Sequence, residues 1–195
     1  MGIATVITSG KGGVGKSTVA VGLGRALAQR GRRVLLVDCD AGLRSLDRMT
    51  GAEENLVFDM AFARCSPAEA IYPCGGDEGL FLLPAPSLGE DFIRPGVMKK
   101  LVPLLKRYFD HVLLDSPAGV GSGFRSAAVG ADRALVVCNP DPVCVRSAGT
   151  VRELLQKLPV EEARLVINRF NGILFHETGA YGDLDAVIDE AGVRL

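Results

Sequence analysis

The sequence predicts an α/β domain with a mostly parallel sheet flanked by helices on both faces. Short apolar, β-branched runs alternate along the chain with longer stretches of helical spacing. The runs are apolar throughout rather than at every second residue, as strands covered on both faces must be. Size agrees: 195 residues, 48% hydrophobic and 23% charged, are enough for one domain spanning 1–195 with its own core.

In chain order, strands are expected at Ile3–Thr8, Arg33–Asp38, Leu80–Leu83, His111–Asp115, Ala134–Cys138 and Arg164–Asn168. Lys16–Arg30 reads as a helix, with Val19, Leu23, Ala26 and Leu27 on one face and Gly31 as its stop. Helical spacing recurs at Val97–Tyr108, Ser122–Gly130, Val143–Leu158 and Asp183–Ala191. Between Thr50 and Glu90 the pattern is broken by Pro67, Pro73, Gly75, Gly76, Gly79, Pro84 and Pro86.

Composition narrows the function. With 22 Lys+Arg against 23 Asp+Glu, the chain has no global attraction for nucleic acid or an acidic membrane, and a nucleic-acid partner is not expected. The five cysteines (Cys39, Cys65, Cys74, Cys138, Cys144) include no C-x-x-C pair, which reads as buried reduced thiols and a cytoplasmic protein. No basic leader and no run of 18 apolar residues is present. Glycine is in excess, at 24 residues, which points to tight turns or close backbone approach to a ligand.

Part of that excess lies between the first strand and the first helix, in Gly10-Lys11-Gly12-Gly13-Val14-Gly15-Lys16-Ser17, followed by Thr18. This is G-x-x-x-x-G-K-[ST] in the strand–loop–helix setting that a phosphate loop requires. Glycines let the backbone wrap a phosphate chain with its N–H groups inward, and the helix N-terminus adds a favourable dipole. Lys16 is expected on the β- and γ-phosphates and the Ser17 hydroxyl on Mg2+. Asp115, which ends an apolar strand, is expected to hold Mg2+ through water. His111, ahead of that strand's core, reads as an ordinary partly exposed histidine.

Lys11 adds a second lysine, K-G-G-V-G-K-[ST], and in this form the loop resembles the deviant Walker A of the MinD/ParA family of P-loop ATPases. Asp38-Cys39-Asp40-Ala41-Gly42-Leu43-Arg44-Ser45-Leu46-Asp47 resembles the D-x-D-x-G-L-R-x-L-D segment of MinD-type members, and Asp115-Ser116-Pro117-Ala118-Gly119 their D-S-P-A-G. Asn139-Pro140-Asp141 and Val166-Ile167-Asn168-Arg169 match two further strand-end segments. These motifs occur in family order from residue 2 to about residue 171.

The resemblance implies a Mg2+-dependent ATPase that hydrolyses ATP slowly as a switch and forms an ATP-dependent homodimer, with Lys11 reaching the partner's nucleotide. It also implies Asp38 near the Mg2+ shell, Asp40 orienting the attacking water, Asn168 on the adenine edge and Arg169 beside the base. The plain alternatives are turn capping by Asp38 or Asp40, a turn role for Asn168 and a solvated loop arginine at 169. A regulatory protein that stimulates hydrolysis and a role in positioning cell division are the family expectation. ParA-like cargo partitioning and regulation of flagellar number are the alternatives. MinD-type members carry Ile-Glu where this chain has Val120-Gly121, and they continue to a basic amphipathic helix that contacts the inner face of the membrane. Here Asp183–Ala191 carries Asp183, Asp185, Asp189 and Glu190, the wrong sign for anionic lipid, and is expected to face the core.

Overall fold

Strands β1 (Ile3–Thr8), β2 (Val34–Asp38) and β5 (His111–Asp115) form the centre of the sheet, and their apolar runs account for it: every residue of β2 is buried. The computed structural model describes residues 1–40, 45–52, 69–85 and 93–195. The other strands are β3 (Tyr72–Pro73), β4 (Leu80–Leu83), β6 (Arg133–Cys138) and β7 (Glu162–Ile167). Their order across the sheet is β3-β4-β2-β5-β1-β6-β7, parallel except for the β3–β4 pair.

This order sets where the helices lie. The chain leaves β1 through α1 (Lys16–Ala28) and enters β2 on one side. The later crossovers, through α3 (Pro95–Leu105), α4 (Ser122–Ala128) and α5 (Pro142–Leu155), step in the opposite direction across the sheet. Right-handed crossovers therefore put α1 on one face and α3, α4 and α5 on the other. Both faces are covered as expected, and the direction reverses around β1 and β5, where an open α/β sheet leaves a crevice at its carboxyl edge.

The predicted strands and helices form with shifted ends. Pro95 takes the first helical position of α3, where its missing N–H costs nothing, and Asp141 caps α5 by accepting from the Cys144 N–H at 3.0 Å. Among the described residues three short elements are additional: α2 (Ser45–Thr50), β3 and α6 (Gly172–Thr178). The first two are too short to reveal a period, and α6 buries only Phe175 and so has no apolar stripe; it is organised by Asn171, whose Oδ1 accepts from Ile173 and Leu174 at 3.0 and 3.2 Å. The last helix, α7 (Leu184–Ala191), buries Val187 and Ala191 and packs on α5, the core-facing arrangement expected of it. Among the described residues no helix is long and apolar enough to cross a membrane.

At the amino edge of the sheet, the Arg33 guanidinium sits 5.5 Å from the Phe81 ring and 5.3 Å from the Phe109 ring. The Arg33 N–H donates to Asp110 Oδ2 at 2.8 Å and the Asp110 N–H to the Arg33 carbonyl at 2.8 Å, joining the entrances of β2 and β5. Leu36, fully buried in β2, should be among the most costly residues to truncate. Leu36→Ala is expected to lower the unfolding free energy in urea by about 3 kcal/mol. Val97→Ala, at a position 42% exposed, should change it by less than about 0.5 kcal/mol.

Candidate nucleotide site

The loop between β1 and α1 is pinned from three sides. Ser9 Oγ donates to the Lys11 carbonyl at 2.7 Å, and the Gly119 N–H donates to the Ser9 carbonyl at 3.0 Å, which ties the loop to the chain leaving β5. Gly10 lies against α5, where an added Cβ would fall 2.6 Å from the Ser147 carbonyl oxygen. Gly15 is the N-cap of α1 with φ of 100°, and an added Cβ there would run into the Asn168 amide. Only glycine satisfies that conformation and that approach together.

Asn168 closes the third side. Its Nδ2 donates to the Val14 carbonyl at 2.7 Å, and its N–H donates to the Cys138 carbonyl at 2.8 Å. Its amide group thus braces the phosphate loop from the end of β7. Arg169 follows, exposed and at φ of 54°, the one non-glycine residue with positive φ among those described.

Below the loop, Lys16 is 9% exposed, in the field of Asp115 and Asp40. Burial lowers its pKa while the two carboxylates raise it. Ser17 hydrogen-bonds Asp115 and receives the Ser45 hydroxyl at 3.2 Å. Asp38 and Asp115 stand directly opposite each other at the carboxyl ends of β2 and β5. Asp38 Oδ1 accepts the Asp40 N–H at 2.9 Å and Oδ2 the Leu46 N–H at 3.4 Å. Burial pushes Asp38 up to about 7, opposed by these N–H bonds and reinforced by Asp115. Burial likewise pushes Asp115 up to about 6, against the pull of Ser17 and Lys16.

Thr8 Oγ1, Asp115 Oδ1 and Asn139 Oδ1 are buried without a hydrogen-bond partner among the described residues. All three lie at the carboxyl ends of β1, β5 and β6, facing one edge of the sheet. Buried polar atoms are seldom left unsatisfied, so their convergence marks the place where a polar ligand completes the structure. Ser17 and Asp115 fit a hard divalent cation, with Asp38 close by. Among the described residues no group of three or more His, Cys, Asp or Glu is placed to hold a metal ion.

Lys11 projects from the loop, its side chain 49% exposed, with Nζ 4.0 Å from Asp141 Oδ1. Asp40 is half-buried and Thr18 exposed, while Ala41–Arg44 of the acidic segment and Cys65 lie outside the described residues. The structure therefore gathers Gly10, Gly12, Gly13, Val14, Gly15, Lys16, Ser17, Asp38, Asp40 and Asp115 at one edge and brings Asn168 to them. Sequence reasoning gave no site role to Ser9, Ser45, Asp141 and Ser147, although Ser45 and Asp141 lie within segments quoted for the resemblance. Asp141 also carried a local signal, the cap-then-proline start of α5. Cys39, Cys74, Cys138 and Cys144 are buried free thiols.

Fold and site together define a P-loop nucleotide-binding domain of the kind that carries a second lysine in its loop. The chain belongs to the CobQ/CobB/MinD/ParA nucleotide binding domain family, which matches residues 5–179. It is 40% identical over 201 residues to the septum site-determining protein MinD of Bacillus subtilis, covering all of this chain and 75% of that protein. Among solved structures, MinD in the MinC:MinD cell division protein complex of Aquifex aeolicus superposes with a TM-score of 0.86 at 34% identity, over 98% of this chain and 78% of that one. MinD of Pyrococcus horikoshii, solved with Mg-ADP, superposes with a TM-score of 0.84 at 29% identity, over 100% and 79% of the two chains.

The raised carboxyls make a pH prediction. The Asp38 carboxyl moves from 3.8 to about 7 on folding, so the folded state keeps a proton that the unfolded chain has released. Its stabilising effect is complete below about pH 4 and is lost as pH rises through about 7. Thermal melts of the metal-free protein between about pH 5 and about pH 8 should therefore fall by about 5 °C more for the wild type than for Asp38→Asn. Parallel pH profiles for the two proteins would contradict the assignment.

Proposed function

We propose that the domain is a Mg2+-dependent ATPase that works as a slow switch, dimerising with ATP and returning to monomer on hydrolysis. The observation that carries this reading is the convergence of Lys16, Ser17 and an Asp115 oxygen without a partner at the foot of the glycine loop. Backbone N–H groups of Gly12–Ser17 and the N-terminus of α1 hold the phosphate chain, and Lys16 neutralises the β- and γ-oxygens. Mg2+ bound beside Ser17 and Asp115 would neutralise the charge that develops on the phosphates. Asp40 orients a water whose oxygen attacks the γ-phosphorus as the bond to the bridging oxygen breaks, giving ADP and phosphate.

Lys11 is the residue for the dimer. Its side chain is half exposed, with Nζ 4.0 Å from Asp141 Oδ1, which suits a cation that completes a second copy's phosphate site. Hydrolysis is slow while that charge is missing. The Aquifex relative was solved with MinC, and a protein partner that reads the ATP-bound dimer is the corresponding expectation here. Its cellular setting is then the placement of the division site, as the name of the Bacillus relative indicates.

Asp40→Ala should lower the steady-state turnover of ATP by about 100-fold or more while leaving fluorescent-nucleotide binding within about threefold. Unchanged turnover removes Asp40 from the chemistry. In sedimentation velocity with Mg·ATP, the wild type should run as a dimer and Lys11→Ala as a monomer. A dimeric, hydrolysing Lys11→Ala protein would refute the role in trans.

A further inference from the structure

At the opposite pole of the sheet from the phosphate loop, the amino ends of β1 and β5 open onto a cavity of about 670 Å3. His111 and Asp115 are the first and last residues of β5, so the two sites lie about 13 Å apart along one strand. The cavity wall includes Arg32, Lys106, Arg107, Tyr108, Asp110 and His111. The Gly2 N–H donates to the Lys106 carbonyl and the Ile3 N–H to the Asp110 carbonyl, both at 2.9 Å. The donors left to a ligand are side chains and the Met1 amino group, which also lines the cavity.

Those side chains divide into committed and uncommitted cations. Lys106 Nζ is 2.6 Å from Asp132 Oδ1, and the Asp110 carboxylate accepts the Arg33 N–H at 2.8 Å. Arg33 itself is held against the Phe81 and Phe109 rings. Arg32 and Arg107 are exposed, and their guanidiniums have no hydrogen bond or ion pair among the described residues. Among the described residues Asp110 is the single carboxylate in the wall. The charged groups acting on His111 tell the same story: burial lowers its pKa first, Asp110 opposes, and Arg32 and Arg133 lower it further.

We infer that this cavity is a second anion site, which takes a doubly charged phosphate group between the Arg32 and Arg107 guanidiniums and the His111 imidazole. Two guanidinium forks match the oxygens of a tetrahedral dianion, and a buried-edge imidazole gains a proton when such a charge arrives. The site needs neither the phosphate loop nor the acids around it.

Proton NMR can read it directly, because His111 and His176 are the only histidines and His176 lies on α6, far along the chain from this cavity. The full chain is first loaded with Mg·ADP, so that added inorganic phosphate is sensed away from the phosphate loop. Saturating phosphate should raise the His111 pKa by about one pH unit and leave His176 in place. The Arg32→Ser/Arg107→Ser double variant, changed only at exposed side chains, should lose the effect while keeping the same melting temperature. A parallel arm replaces phosphate with phosphatidylcholine vesicles with or without phosphatidic acid, whose headgroup is a phosphate monoester. Arginine-dependent co-sedimentation only when phosphatidic acid is present assigns a lipid headgroup, and a His111 response to phosphate without sedimentation assigns a soluble phosphate. If neither probe acts on His111 or sediments the protein, or if the double variant responds like the wild type, the inference fails.

Discussion

Charge buried at the carboxyl edge of a parallel sheet is the constraint around which this molecule is organised. Lys16, Asp38 and Asp115 are all withdrawn from water, and burial alone would drive each toward its neutral form. They are tolerated there because each partly answers another. Asp115 meets Ser17 and the field of Lys16, and Asp38 is held by the N–H groups of Asp40 at its strand exit and of Leu46 in α2. The compensation is incomplete, as the raised carboxyls and the unpaired Asp115 oxygen testify, and the deficit is of the kind that a phosphate chain with its cation removes.

The topology creates that edge. With β1 and β5 adjacent at the centre and β2 beside β5, three strand ends deliver Ser9, Asp38 and Asp115 to one place, while α1 starts there with its N-terminus facing the same spot. The reversal of crossover direction keeps helices from closing over the crevice. At the amino edge the same strands begin among cations instead, with Arg33 packed between rings and Arg32 and Arg107 left facing a cavity. One sheet therefore has two poles of different chemistry, the acidic one suited to a metal and the basic one to an anion.

How much of this was legible in the sequence follows from the range of the interactions concerned. The six principal strands and five helices were readable because each carries its own period or apolar run, whereas α2 and β3 escaped because six and two residues are too few to display one, and α6 because it buries a single residue, Phe175. Element ends shifted by a few residues where capping decided them, as at Pro95 and Asp141. The resemblance of the loop and the acid segments to the MinD/ParA pattern agreed with the family to which the chain belongs.

The sequence by itself determined the α/β class, the phosphate loop and the identity of the acids, since these rest on spacing within single strands, turns and helix starts. Tertiary structure alone decided what those residues do to one another. It set Asp38 opposite Asp115 and Ser45 against Ser17. It turned Asn168 onto a carbonyl 154 residues away and brought Asp141 to Lys11. The physical reason is the same in each case: a pKa, a brace or an ion pair depends on distance in space and on exclusion of water, and neither quantity is written in the local order of residues.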